Sequence, residues 1–152
     1  MPVKIKGVKQ LDNRLKRILP DARSNFAREM KKTIVDIIVE KIVSGLSPVK
    51  GQNRYPKYSD DYAKKKGRSQ PVDLVDTGKM LENLRARQTA KNTIVLEFPS
   101  AKQRNKAIGH NEGANNLPQR KILPTKKGET FKQEILNKII KIVEKAINNA
   151  IR

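Results

Sequence analysis

The chain has no cysteine, no tryptophan and a single histidine, His110. Without cysteine there is no disulfide framework, no thiolate metal site and no cysteine nucleophile. One imidazole cannot furnish a multi-histidine zinc site or an HNH-type nuclease cluster within one chain. Aromatic residues make up 4% of the sequence, too few for the ring platforms on which single-stranded nucleic acid stacks. Long apolar runs are missing as well. The longest, Thr33 to Leu46, is interrupted by Asp36, Glu40 and Lys41, whereas a membrane span needs about 20 apolar residues. The first residues, Met1 to Lys6, lack the apolar core of a secretion signal. A soluble chain, made in a reducing compartment and without membrane partners, is therefore expected.

Acidic residues are also scarce: 15 Asp and Glu stand against 34 Lys and Arg, a formal charge of +19. Such a surplus meets phosphates or an acidic protein surface, or is simply a solvated surface. The denser blocks are Lys64, Lys65 and Lys66 with Arg68; Lys102, Arg104 and Lys106; and Arg120, Lys121, Lys126 and Lys127. All three are expected in loops, unlike a basic recognition helix. The first two supply the candidate contacts to DNA or an acidic partner.

The 152 residues fit one domain. Apolar residues, 36% of the total, gather in three stretches, as a thin core requires. Alternation over residues 3–8 predicts an edge strand. Leu11, Leu15, Ile18 and Leu19 then form one helical stripe. Pro20 breaks this helical segment, which spans residues 9–45, because the ring disfavours helix at Leu19 yet suits the first turn of a new helix. The second helix carries Phe26, Met30, Ile34, Ile37 and Ile38, continues through Ile42 and Val43, and stops at Ser44-Gly45. With Val35 and Val39 it is apolar on more than one side, as a central or subunit-contacting helix would be.

Residues 46–75 read as a long polar loop holding all three tyrosines, Tyr55, Tyr58 and Tyr62. Each either anchors a partner or packs the loop onto its own domain. Asp60-Asp61 are expected to open a helix through Tyr62-Ala63. Over residues 76–124 a sheet core with connecting loops is expected. It starts with a short helix bearing Met80, Leu81 and Leu84, capped by Asp76 or Thr77. A hairpin follows, turning at Lys91-Asn92, with Ile94, Leu96 and Phe98 on one face. Lys106 to His110 reads as a further strand. Phe131, Ile135, Ile139, Ile142 and Ala146 form one stripe of a C-terminal helix over residues 129–151, and Leu136, Ile140, Val143, Ile147 and Ile151 an adjacent one. The fold class is α+β, with N-terminal and C-terminal helices framing a small antiparallel sheet.

No phosphate-cradling glycine loop and no usable Ser–His–Asp order is present. The carboxylate pairs are Asp60-Asp61, Asp73 with Asp76, and Glu97 with Glu112. A metal-dependent nuclease would need such groups to converge beside a lysine, but Asp73 and Asp76 read as a turn and a cap. No enzyme activity and no cofactor or metal is expected. His110, between Gly109 and Gly113, either acts as an acid–base or inter-subunit group or shapes its own turn. Arg120, between Pro118 and Pro124, grips a carboxylate on a partner or one within the chain.

One pattern goes beyond composition. Val75-Asp76-Thr77-Gly78-Lys79-Met80-Leu81-Glu82-Asn83-Leu84 resembles the L-x-x-T-G-x-L-x-x-S-I stretch of tailed-phage virion-morphogenesis proteins, the tail-completion or neck proteins of the Mu type and their siphophage relatives. Lys106 to Gly113 is similar to their Y-A-x-x-H-x-x-G stretch, Leu117 to Pro124 to I-P-A-R-P-F-L, and Tyr55 to Lys66 to W-x-P-L-S-x-x-Y-x-x-x-K. The four occur in the family's order over residues 55–124, with Lys106, Asn83-Leu84 and Lys121-Ile122 as departures. The resemblance implies a noncatalytic virion part at the head–tail neck, assembled in the host cytoplasm as a homo-oligomeric ring. It would meet the head connector or adaptor and the tail terminator or tail tube, with nonspecific contact to packaged DNA. Gly78, His110, Gly113, Pro118 and Arg120 carry over as structural or interface positions. The competing expectation is a basic protein that binds nucleic acid without sequence preference.

Overall fold

A computed structural model describes residues 3–5, 20–90, 93–114 and 116–151. The expected helix over residues 9–19, the end of the first strand and the turn at Lys91-Asn92 lie outside the described residues. The elements are β1 (Val3–Ile5), α1 (Pro20–Val43), α2 (Asp60–Lys66), α3 (Lys79–Glu82), β2 (Arg85–Ala90), β3 (Thr93–Glu97), α4 (Ala101–Glu112) and α5 (Gln133–Ile151). Helices and an antiparallel sheet coexist in one α+β fold.

Helix α1 starts at Pro20 and runs to the expected stop. Gly45 takes φ 79°; its N–H donates to the Ile42 carbonyl at 3.0 Å and the Leu46 N–H to that of Lys41 at 3.2 Å. These are the bonds that satisfy orphan carbonyls at a helix end, and they need a residue at ease with positive φ. Met30, Ile34, Ile37, Ile38 and Ile42 are buried on one stripe, with Val35 and Val39 packed beside it. The helix is thus central: α1 contacts both α5 and β2. Each fully buried isoleucine contributes about 1.5–3 kcal/mol by removal from water.

The sheet has strand order β1-β3-β2, all antiparallel. β1 is an edge strand pairing Val3 with Leu96 and Ile5 with Ile94. The hairpin pairs Arg85 with Glu97 and Arg87 with Val95, with an irregularity between Gln88 and Ala90. Ile94, Leu96 and Phe98 are buried together as alternation requires, but Val95 is buried too. Val95 points to the opposite face of β3 from Ile94 and Leu96, so that face is buried at this position as well.

Residues 46–75 are not a free loop. Bridges pair Leu46 with Arg54 and Val49 with Phe131, and Ser47, Val49, Tyr55, Val72 and Asp73 are buried. Phe131 therefore precedes α5 instead of starting it, held by the Lys132 N–H on the Pro48 carbonyl at 2.9 Å. Within α5, Ile135 and Ile139 enter the core, Leu136 and Ile142 pack at its margin, and Ile140 is 51% exposed.

Two further expectations are corrected here. Lys106 to His110 is no strand but part of α4, which Ser100 caps by accepting the Gln103 N–H at 3.5 Å and which Gly113 ends at φ 72°. The buried positions Gln103, Ala107 and Asn111 recur every four residues, a helical period hidden by their polarity. The short helix α3 is capped by Gly78 at φ 76°, with no side-chain cap bond from Asp76 or Thr77.

Candidate functional site

A cleft of about 690 Å³ opens where the start of α2, the segment leading to α3, one face of α4 and residues 116–120 meet. Its size falls in the range of ligand pockets. Lys102, Lys106, Gly109 and His110 reach it from α4, at the spacings that put residues on one helical face. Tyr58 and Tyr62 come from the α2 side, Gly78 and Met80 from the α3 side, and Pro118 and Arg120 from the last segment.

The walls are held by polar locks that a sequence pattern does not announce. Asp73 is 5% exposed and accepts from Lys66 Nζ at 2.5 Å, the Tyr58 hydroxyl at 2.8 Å, the Val75 N–H at 3.1 Å and the Arg68 guanidinium. Burial pushes the Asp73 carboxyl up, but the hydrogen bonds from Lys66, Val75 and Tyr58 outweigh it and hold the group below its ordinary range. These bonds sustain Leu74, a cleft residue, at φ 53°, a left-handed conformation that costs a non-glycine residue about 1–3 kcal/mol. Lys66 also reaches the Val75 carbonyl and lies 5.2 Å from the centroid of the Tyr58 ring.

Arg120 is 3% exposed. Its fork donates to the carbonyls of Pro56 at 3.2 Å and Lys57 at 3.0 Å, its N–H donates to the His110 carbonyl at 2.7 Å, and its guanidinium sits 5.5 Å from the Tyr58 ring centroid. Within the chain the fork binds backbone carbonyls and no carboxylate among the described residues. Burial pushes the guanidinium's pKa down, opposed by Tyr58 and Tyr55.

Gly113 does not line the cleft but fixes its rear. A Cβ there would lie 3.1 Å from the Leu117 carbonyl oxygen and 3.2 Å from the Gln119 nitrogen, so its left-handed φ and close quarters both demand glycine. Asn111, given no role from sequence, is the hub of this turn. Its Oδ1 accepts the N–H groups of Ile122 at 2.8 Å and Leu123 at 3.0 Å, and its Nδ2 donates to Thr125 Oγ1 at 2.9 Å. The only sequence signal was an asparagine four residues after Ala107 in an amphipathic register.

His110 shapes its turn through its backbone carbonyl alone. Its Nδ1 is buried and has no hydrogen-bond partner. Burial, then the nearby charges of Arg120 and Lys106, push its pKa below the ordinary histidine value, which favours the neutral ring.

The tyrosines divide. Tyr55 is buried and donates to the Lys121 carbonyl at 3.2 Å, and burial pushes its hydroxyl pKa up; Tyr58 is tied to Asp73. Both pack the chain onto itself. Tyr62 stands at the cleft, its ring centroid 4.8 Å from that of Tyr58 and tilted by 58°.

The basic blocks also divide, and two are on helices rather than loops. Lys64, Lys65 and Lys66 lie on α2, where Lys64 and Lys65 are exposed and Lys66, with Arg68 just beyond the helix, is committed to Asp73. Lys102, Arg104 and Lys106 are on α4, with Lys102 and Lys106 in the cleft and Arg104 outside it. Short side chains such as Ala101 and Ala107 favour helix there, and the cap residues at both ends close it. Among the described residues no group of three or more His, Asp or Glu side chains could hold a metal ion, and no helix is long and apolar enough to cross a membrane. Of the pair Asp73 and Asp76, the first is buried and the second exposed.

No protein-family model, curated protein or solved structure matches the chain.

Proposed function

We propose that this protein is a noncatalytic structural part of a tailed-phage virion that acts at the head–tail junction as a homo-oligomeric ring, in contact with connector and tail proteins. One observation carries the reading. The four stretches that resemble neck and tail-completion proteins are spread over residues 55–124, yet each sends residues into the same cleft: Tyr58 and Tyr62, Gly78 and Met80, Lys106 and His110, Pro118 and Arg120. Their roles are architectural, with Gly78 and Gly113 at positive φ and Arg120 tying backbone to backbone, as the resemblance implies. Exposed Ile140, Val43 and Leu117 offer apolar contacts to neighbours, and the charge of +19 suits an acidic connector face or the DNA in its channel.

The test is sedimentation of a native lysate from infected cells. The protein is expected to travel with intact particles, at a few to a dozen copies each, and particles assembled without it are expected to lack joined tails. Fully tailed, infectious particles formed in its absence would overturn the proposal. The exposed cations Lys64, Lys65 and Arg104 favour the second reading, nonspecific nucleic-acid binding. If the protein instead followed DNA until salt released it, that reading would take over.

A further inference from the structure

The cleft is electrically unbalanced. Lys102 and Lys106 are exposed, one turn apart on α4, and neither pairs with a carboxylate among the described residues. Arg120 is satisfied by carbonyls, which accept its hydrogen bonds but leave its charge uncancelled. Among the described residues of the lining, Asp76 is the one carboxylate against three cations. The rest of the wall is largely apolar: Leu74, Met80, Leu117, Pro118 and the tyrosine rings. Leu117 remains 39% exposed. Apolar surface beside unpaired cations is costly to leave in water only on its apolar part, so an occupant gains by bringing both an apolar side chain and negative charge.

We infer that this cleft is a docking site for an acidic peptide segment of a partner protein, whose large apolar side chain enters the lining while a neighbouring carboxylate meets Lys102 and Lys106. The volume admits a short segment, not a folded element. For this cleft a second copy of the chain is a poorer occupant than an acidic peptide, because carboxylates are scarce in a sequence with 34 cations against 15 carboxylates; contacts between copies in a ring fall to other surfaces. Nucleic acid is a poor occupant too. Its phosphates need cations tracking along a strand, whereas the two unpaired lysines sit one turn apart on α4, and Tyr58 and Tyr62 pack against each other at a tilt of 58° instead of standing apart as base platforms. The inference deepens the proposed assembly role and rests on the cleft being a contact site, not on the protein's place in a particle.

Because His110 is the one histidine and lines the cleft, its ring resonances report occupancy without ambiguity. A randomised heptapeptide library selected against the full chain should yield sequences rich in Asp or Glu beside Leu, Phe or Tyr. A selected peptide should shift the His110 ring signals and raise the pH at which they titrate, since a carboxylate nearby favours the imidazolium. Lys102→Glu with Lys106→Glu, both exposed substitutions that leave the core intact, should weaken that peptide about tenfold or more. The same peptides with Gln and Asn for Glu and Asp should weaken similarly.

Absence of any acidic–apolar consensus, or binding unchanged by the double substitution, would overturn the inference. So would an oligonucleotide such as a thymidine decamer shifting His110 where the peptides do not. Peptide binding by a protein that never enters particles would sink the virion proposal and leave the docking site standing.

Discussion

Gly113 and Arg120 show how single residues fix the cleft. Gly113 closes α4 in a conformation that an L side chain adopts reluctantly, with the backbone of Leu117 and Gln119 packed where a Cβ would go. Replacing it with alanine adds left-handed strain and a contact that only a backbone shift relieves. Gly113→Ala is expected to destabilise the fold by about 1–3 kcal/mol, read as a lowered midpoint in urea with an unchanged slope. The mirror case is Gly51, also at positive φ but with nothing within 4 Å; alanine there meets only the conformational cost. Arg120 differs from both: its backbone N–H holds the His110 carbonyl, and its guanidinium fork holds the carbonyls of Pro56 and Lys57 on a separate chain segment. Lysine has one donor head and no fork, so it cannot replace those bonds together.

At the scale of elements, carboxylates act as clamps on turns. Asp73 ties α2 to the segment entering α3. Glu129 accepts the N–H groups of Thr125 at 2.9 Å and Lys126 at 3.1 Å together with the Lys121 ammonium. Burial acts to raise its pKa, but the bonds from Lys121, Thr125 and Lys126 prevail and lower it to about 2. A carboxyl whose folded pKa lies below its unfolded value stabilises the fold above the unfolded pKa and loses that contribution as pH falls toward the folded one. For Glu129 the loss runs from about pH 4.5 down to about pH 2; Asp73, lowered from 3.8, adds to it in the acid part of that window. Acid unfolding of Glu129→Gln should therefore depend less on pH between 4.5 and 2 than that of the wild type, with stability at pH 7 already reduced by about 1 kcal/mol. Equal slopes for the two proteins would show that the clamp contributes nothing.

For the whole molecule, stability rests on α1 as the common support of α5 and the hairpin. Ile38 is fully buried on that helix, and truncating it leaves a cavity bounded by elements that cannot all close in. Ile38→Ala should cost about 2–5 kcal/mol, a large share of what a domain of this size holds. Since the cleft walls are locked by their own hydrogen bonds, the same variant should keep peptide binding under conditions where it remains folded. Loss of binding in proportion to loss of stability would instead tie the cleft to the core.

Periodicity and punctuation sufficed for much of this fold. Pro20 and Gly45 mark the ends of α1, the stripe from Met30 to Ile42 marks its buried side, and alternation from Thr93 to Phe98 marks the hairpin's inner strand. These are local rules: a side chain's direction follows from its place in the period, and proline and glycine act on their own dihedrals. Helix α4 escaped because its buried positions include Gln103, whose Oε1 has no hydrogen-bond partner among the described residues, and Asn111, whose partners Ile122, Leu123 and Thr125 lie beyond the helix. The long segment after Gly45 read as a loop because Ser47, Tyr55 and Asp73 find their bonds at Lys121, Lys66 and Arg68, and nothing local records such pairings. Which cations are free was equally undecided by composition. Lys66 and Lys106 are the same residue type in similar basic blocks, yet one faces Asp73 and the other the cleft. Local periods determined the elements; the convergence of four distant segments, with the hydrogen bonds each saves for another, was decided by the tertiary structure alone.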